Sequence, residues 1–355
     1  MNFTSSILFW YKKNKRDLPW RRNADPYKVW LSEIILQQTR IDQGLPYYLK
    51  FVKKYPNITS LAKANEQDIL ILWQGLGYYS RARNLLKTAK TIIDTFDGKF
   101  PEKYIELKKL PGIGEYTASA ISSICFNERR AVLDGNVYRV ISRFYGIDKP
   151  TNSYNGQKYF SEISQELAPD KSCGDYNQGL MDFGSLICKP KLPLCKNCIL
   201  ANNCIANKKN ITDDLPVKIK RKPPKIVHFN YIVFVDSRCN TYINQIENGI
   251  WKNLFQFPLI ESNKELNKDK IISNKGLNKL VDIENCDIKL FNNKPIIHKL
   301  SHRVICTKFW ILSIEKSNDN SIEFKDIKTY PVPKLIENFL ENFNYKTFSK
   351  TFSYK

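Results

Sequence analysis

Apolar residues recur at helical spacing over the first two hundred positions and in strand-like runs over much of the remainder. The run from Tyr27 to Thr39 is periodic. It follows Asp25-Pro26, an N-cap residue and a proline suited to the first helical position. Leu61–Trp73, Ser80–Phe96, Tyr116–Phe126, Val137–Phe144 and Gly156–Leu167 predict further helices, punctuated by Gly, Pro and Asn. The character changes near residue 206, where NKKNITDDLPVKIKRKPPK has three prolines and no period. HFNYIVFVDS, TYINQI, FQFPLI and HRVICTKFWILSI then predict strands, and Leu335 to Phe343 a closing helix. The expected organisation is a helical domain over 1–205, a basic linker over 206–225 and a smaller α+β domain over 226–355.

Composition sharpens this picture. The 355 residues are 42% hydrophobic, enough for two cores, and carry a formal net charge of +21. Such a surplus favours a polyanionic partner, because neutralised phosphates release condensed counterions. Lysine supplies most of it alongside abundant asparagine, as an AT-rich genome alone would give. No apolar run approaches the ~20 residues of a spanning helix. The N-terminal apolar patch has its basic residues after it, the wrong order for a secretory signal. The expectation is a soluble cytoplasmic protein.

Nine cysteines in such a protein are not read as a disulfide framework. Four fall in the pattern Cys188-x6-Cys195-x2-Cys198-x5-Cys204, and four thiolates this close suit either tetrahedral zinc or an iron–sulfur cluster. The scattered five (Cys125, Cys173, Cys239, Cys286 and Cys306) read as small buried hydrophobes. Lys189, Pro190, Lys191, Pro193 and Lys196 make the cysteine loop basic, facing either phosphate or solvent.

Three further segments carry chemistry. In LPGIGEYTASAI, Gly112 and Gly114 permit positive φ and close backbone approach, and the helix start behind them can face a phosphate. Glu33 lies in the apolar stretch WLSEIILQQT, where desolvation would raise its pKa toward neutrality and suit it to donate a proton. The bland reading is a solvent-facing glutamate. Asp134 in LDGNVYRVISRF is either an N-cap or a carboxylate presented at a helix end.

SEIILQQT and LDGNVYRV resemble the catalytic segments of the adenine DNA glycosylase family. LPGIGEYTASAI resembles the helix–hairpin–helix of its endonuclease III-like superfamily, and the cysteine spacing resembles that superfamily's structural 4Fe–4S loop. The resemblance covers nearly the whole chain and is most specific from 17 to 204. It implies a mainly α helix–hairpin–helix glycosylase domain with a 4Fe–4S loop held by Cys188, Cys195, Cys198 and Cys204, then a Nudix-like domain. It implies that Glu33 protonates adenine, that Asp134 stabilises an oxocarbenium-like sugar with Asn136 beside it, and that the base is flipped out of the duplex. Trp20, Arg21, Leu36 and Asp182 match adenine-pocket positions. Gln38, Thr39, Leu76 and Tyr78 match residues around the opposite base, the last two in a glycine-punctuated turn suited to a wedge.

Tyr116 stands where the lyase branch carries its Schiff-base lysine, which implies a mainly monofunctional enzyme. NGIWKNLFQFPL resembles a segment of the family's Nudix-like domain; no metal box accompanies it, so no nucleotide hydrolysis is expected. Leu300, Ser301 and His302 match an 8-oxoguanine-recognition loop usually read Phe-Ser-His, and a leucine there cannot stack as an aromatic does. The implied partner is duplex DNA with adenine opposite 8-oxoguanine or guanine, bound by a nucleoid-associated monomer. The competing readings are an endonuclease III-like glycosylase–lyase, a thymine-mismatch glycosylase, and a non-enzymatic DNA-binding protein.

Overall fold

The computed structural model describes residues 2–220, 223–274, 277, 287–300, 302–317 and 319–349. Contacts divide the chain into two compact units, Met1–Ala64 with Arg83–Arg221, and Asn65–Ala82 with Lys222–Lys355. Two features depart from the expected borders. Residues 65–82 group with the second unit: Glu66 accepts from Asn253 Nδ2, Gln67 Nε2 donates to Thr329 O at 3.3 Å, and Tyr79 Oη to Val332 O at 3.5 Å. The expected linker is also pinned over much of its length. Thr151 N donates to Val217 O (3.0 Å), Asn152 exchanges two bonds with Ile219, and Arg143 Nε bonds Leu215 O (3.0 Å). A polar sequence without period reads as a linker, but its backbone groups can still be satisfied by a neighbouring surface.

The helical unit contains α1 (Phe3–Asn14), α2 (Pro26–Leu36), α3 (Ile41–Lys54) and α4 (Ile58–Ala62). After α5 (Glu66–Trp73), which belongs to the second unit, come α6 (Ser80–Phe96), whose first residues also group there, α7 (Tyr104–Leu107), α8 (Glu115–Phe126), α9 (Gly135–Tyr145), α10 (Tyr154–Leu167), α11 (Cys173–Leu186) and α12 (Ile205–Lys208). Asp25 caps α2 as expected, accepting from Tyr27 N (2.9 Å) and Lys28 N (3.4 Å). The helix ends at Leu36, not Thr39, and Gln38 has φ +55°. The predicted helix over 61–73 is two, because Asn65 caps α5 through Asp68 N and stops the chain from continuing.

The sequence reading passed over α1, α3 and α11. The last carries Gly174, Gly179 and Gly184, which weaken a helical pattern. Packing explains their presence. Tyr176, Leu180 and Phe183 of α11 are buried against Ile7 and Trp10 of α1 and Val137, Val140 and Ile141 of α9. A Cβ on Gly184 would meet Asn136 Cβ at 2.7 Å, so only glycine lets α11 approach the start of α9 this closely.

The second unit is built on a mixed sheet. Strands β1 (Lys225–Val235) and β8 (Arg303–Ser313) pair in parallel along their full lengths, with β5 (Leu259–Ser262) antiparallel outside β1. Strands β6 (Asp287–Leu290) and β7 (Ile296–Lys299) pair with different halves of β8. Small two-stranded pairings join β2 (Asn240–Thr241) to β9 (Ile322–Glu323) and β3 (Asn244–Gln245) to β4 (Phe255–Gln256). Pro258 interrupts the predicted FQFPLI strand between β4 and β5. Helix α13 (Lys268–Ile272) packs Ile271 against the sheet, α14 (Lys334–Asn342) answers the predicted closing helix, and α15 (Tyr345–Ser349) follows. Among the described residues, no helix is long and apolar enough to cross a membrane.

Candidate active site and cysteine loop

Helices α2, α3, α8, α9 and α11 of the helical unit, with the segment around Trp20, line a cleft of about 1330 Å³. Helix α2 is apolar on nearly every face, so its one carboxylate, Glu33, is held among Ile34, Ile35 and Trp30 yet opens onto the cleft. Burial raises the Glu33 carboxyl from 4.5 to about 7, against the pull of Tyr116 and Arg21, with the charge of Asp134 adding to the rise. Such a group still carries its proton about half of the time at pH 7.

Asp134 is both things its sequence offered. It caps α9, with Oδ1 accepting from Asn136 N (2.9 Å) and Val137 N (2.8 Å) and Oδ2 from Asn136 Nδ2 (2.8 Å), and it also lines the cleft. Three N–H donors at a helix N-terminus fix the orientation of this side chain. Two carboxyl groups, one of them strongly desolvated, therefore line one cleft, and glycosidic-bond cleavage makes use of such pairs.

Tyr116 opens α8. Its hydroxyl is 3.0 Å from Met181 Sδ and also within hydrogen-bond reach of Glu33. Its single proton is shared, and the carboxylate is the stronger acceptor once ionised. Burial pushes the Tyr116 phenol well above its usual range, reinforced by Glu33 and Asp134. The phenol therefore stays protonated and can donate a hydrogen bond toward Glu33.

Trp20, Arg21, Leu36, Gln38, Thr39 and Asn136 line the cleft. Asp182 does not. It is fully buried behind the wall, where Arg21 binds it through both Nη atoms (2.7 and 3.1 Å) and Arg16 through Nε (3.0 Å) and Nη2. Burial alone would raise its carboxyl, but the two guanidinium groups hold it below 3.8. Asp182 thus positions Arg21, and its acceptor capacity is spent inside the protein. The sequence reading missed Arg16, Gln178, Met181, Ser185 and Arg139 on the lining; Gln178, Met181 and Ser185 share one face of α11, whose helical period would have exposed them.

The turn of the hairpin runs from Leu110 to Gly114. Gly112 has φ +72°, and a Cβ there would meet Asn84 Cβ at 2.6 Å. Thr88 Oγ1 fixes the turn by donating to Pro111 O at 2.5 Å. Gly114 begins α8 with no side-chain cap, leaving the first N–H groups of the helix for an anion.

Cys188, Cys195, Cys198 and Cys204 face one small apolar cavity of about 30 Å³. Among the described residues, no group of three His, Cys, Asp or Glu side chains is placed to hold a metal ion. Burial raises the thiols of Cys195, Cys198 (to about 11) and Cys204, and their mutual proximity adds to this. Arg143, one turn along α9 from Arg139, secures the loop through Lys189 O (2.7 Å), Pro190 O (3.1 Å) and Cys188 Sγ (3.5 Å). Arg139 bonds Cys188 O (2.7 Å) and Asn136 Oδ1 (2.8 Å), so the loop and Asp134 are tied to the same helical turns. Of the scattered cysteines only Cys173 is fully buried; Cys125, Cys239 and Cys306 are intermediate, and Cys286 lies outside the described residues.

In the second unit, Leu76 is 6% exposed and packed inward, not presented as a wedge, whereas Tyr78 is 48% exposed. Leu300 N bonds Arg303 O (2.9 Å), and exposed His302 accepts from Arg303 Nε (3.0 Å). Ser301 lies outside the described residues.

A helical cleft lined by a buried Glu and a helix-capping Asp, with a glycine hairpin leading into the same helix as Tyr116, is what the comparisons with known proteins place in base excision DNA repair. Residues 31–168 match the model of the HhH-GPD superfamily of base excision DNA repair proteins. The chain is 36% identical to the adenine DNA glycosylase of Buchnera aphidicola subsp. Schizaphis graminum over 96% of its own length and 98% of the relative's. The human adenine DNA glycosylase is 38% identical over 58% of this chain and 40% of that protein. A solved thermostable thymine-DNA glycosylase superimposes with a TM-score of 0.54 at 33% identity, over 58% of this chain and 95% of that one. The chain belongs to the adenine DNA glycosylase family.

Proposed function

We propose that this enzyme hydrolyses the N-glycosidic bond of adenine lying opposite 8-oxoguanine or guanine in duplex DNA. The carrying observation is one cleft lined by both Glu33, whose buried carboxyl is pushed up to about 7, and Asp134, whose oxygens accept from the first N–H groups of α9. The Glu33 proton passes to a ring nitrogen of the flipped adenine as the bond to the sugar breaks. The positive charge left on the sugar faces Asp134. Water adds to the anomeric carbon and returns a proton to Glu33, giving an abasic site and free adenine. Trp20, Arg21 and Leu36 would receive the base, with Asp182 fixing Arg21. Gln38, Thr39 and Tyr78 would contact the site of the opposite base, and Leu300, Ser301 and His302 would recognise 8-oxoguanine from a Nudix-like second domain.

Tyr116 supplies no amine, which supports a mainly monofunctional enzyme. Borohydride trapping on abasic DNA should therefore be weak, and efficient trapping would reverse this. The four cysteines line one small apolar cavity and fit a 4Fe–4S cluster in donor chemistry. When bound, that cluster would act structurally. Iron and sulfide in anaerobically purified protein would support the assignment; stoichiometric zinc alone would overturn it.

Excision assays on duplexes with A opposite 8-oxoguanine, A opposite G, T opposite G, and thymine glycol decide the substrate. Activity confined to the first two is expected. Similarity of the helical unit to thymine glycosylases makes T opposite G the informative competitor, and preference for it would displace the adenine reading. Glu33→Gln and Asp134→Asn should each bind DNA but lose excision.

A further inference from the structure

The turn from Gly75 to Tyr79, all within the second unit, is fastened in an unusual way. Gly75, Gly77 and Tyr78 have φ of +92°, +73° and +48°, and a tyrosine takes up that left-handed conformation only when its surroundings impose it. The surroundings converge on Arg81. Its side chain is 7% exposed, and Nη2 donates to Leu76 O at 3.3 Å and to Gly77 O at 3.2 Å. The guanidinium lies 5.1 Å from the Trp73 ring centroid and 5.7 Å from that of Tyr78. Trp73 Nε1 donates to the same Gly77 carbonyl at 3.0 Å. Burying a guanidinium is costly, enough here to pull its pKa to about 10, with burial the cause. These contacts spend that cost on three consecutive residues of one turn, the third being the exposed Tyr78.

We propose that Arg81 is a positioning residue that holds Tyr78 outward, ready to enter the DNA stack. Arg81 does not touch DNA in this account; it acts through Tyr78. This rests on the reading of Tyr78 given above. A lysine is a poor replacement, because a compact, strongly hydrated point charge lacks the planar, weakly hydrated guanidinium that sits near both rings.

The test uses the full-length protein with Arg81→Lys, Tyr78→Leu and the double variant. Hydrogen exchange of the DNA-free protein tests the clamp alone: Arg81→Lys should speed exchange in a peptide spanning residues 74–80 and leave α8 and α9 unchanged. Unaltered exchange there overturns the proposal. Affinity for a duplex with an uncleavable abasic analogue opposite 8-oxoguanine tests the consequence. Arg81→Lys should weaken it roughly 3- to 30-fold, the range of cation–π contacts, with undamaged duplex affected less than twofold. Adding Arg81→Lys to Tyr78→Leu should cost nothing more; multiplicative losses would show that Arg81 does not act through Tyr78. Faster exchange together with no wild-type preference for the lesion duplex would uphold the clamp and sink the substrate reading instead. If Arg81→Lys does not fold, Arg81→Gln carries the same measurements.

Discussion

Glu33 is held at a thermodynamic disadvantage, and Glu33→Gln should reveal it. Its pKa rises from 4.5 to about 7 on folding, so the folded state binds the proton more tightly than the unfolded one. Between those values the native protein carries more protons, and its stability falls as pH rises, the reverse of the usual carboxylate case. At 1.36 kcal/mol per pKa unit the loss is ~3 kcal/mol above pH 7. The carboxyl also opens onto the cleft, and water screening brings the expected figure to ~1–3 kcal/mol. Glutamine has nearly the same shape and no charge to desolvate. The variant should match the wild type near pH 5 and become progressively more stable up to about pH 7.5, with a Tm gain of ~2–10 °C for a unit of this size. Thermal unfolding of both proteins at pH 5, 6, 7 and 8, with excision measured in parallel, tests it. Lost excision with higher Tm at pH 8 is expected. A variant less stable than wild type at pH 8, or a difference that does not change with pH, would refute the claim that burial tunes Glu33.

Asp182→Asn removes the partner of two guanidinium groups at a fully buried point, and Arg21 is only 12% exposed. A loss of ~3–5 kcal/mol in unfolding free energy is expected, and a Tm within a degree or two of wild type would count against the ion triad. The unscreened Arg21 should also lower the Glu33 pKa, moving the alkaline limb of the excision profile to lower pH. Gly112→Ala forces a Cβ against Asn84 at φ +72°; undamaged duplex should bind more weakly while single-turnover excision of saturated enzyme changes little. Arg143→Leu releases the carbonyls of Lys189, Pro190 and Leu215, and purified protein should hold less iron, read by absorbance and metal analysis.

The sequence by itself determined a good deal. Local signals placed α2, α6, α8, α9 and α10, because capping, helical period and Gly or Pro punctuation act within a few residues. It also marked Glu33, Asp134, Tyr116, the hairpin and the four cysteines, since each sits in a contiguous motif. Long-range packing decided the rest. Helix α11 hides behind three glycines that exist for close contact with α1, α8 and α9. The segment 65–82 looks locally like its helical neighbours, yet side chains distant in sequence draw it to the second unit. Leu76 and Tyr78 are two residues apart with the same apparent promise, and only the fold buries one and exposes the other. Asp182 looked like a pocket residue until Arg16 and Arg21, more than 160 positions away, were seen to consume its oxygens. The elevated pKa of Glu33 belongs to the same class: the sequence supplied apolar neighbours, but desolvation is a property of everything that surrounds the carboxyl in space.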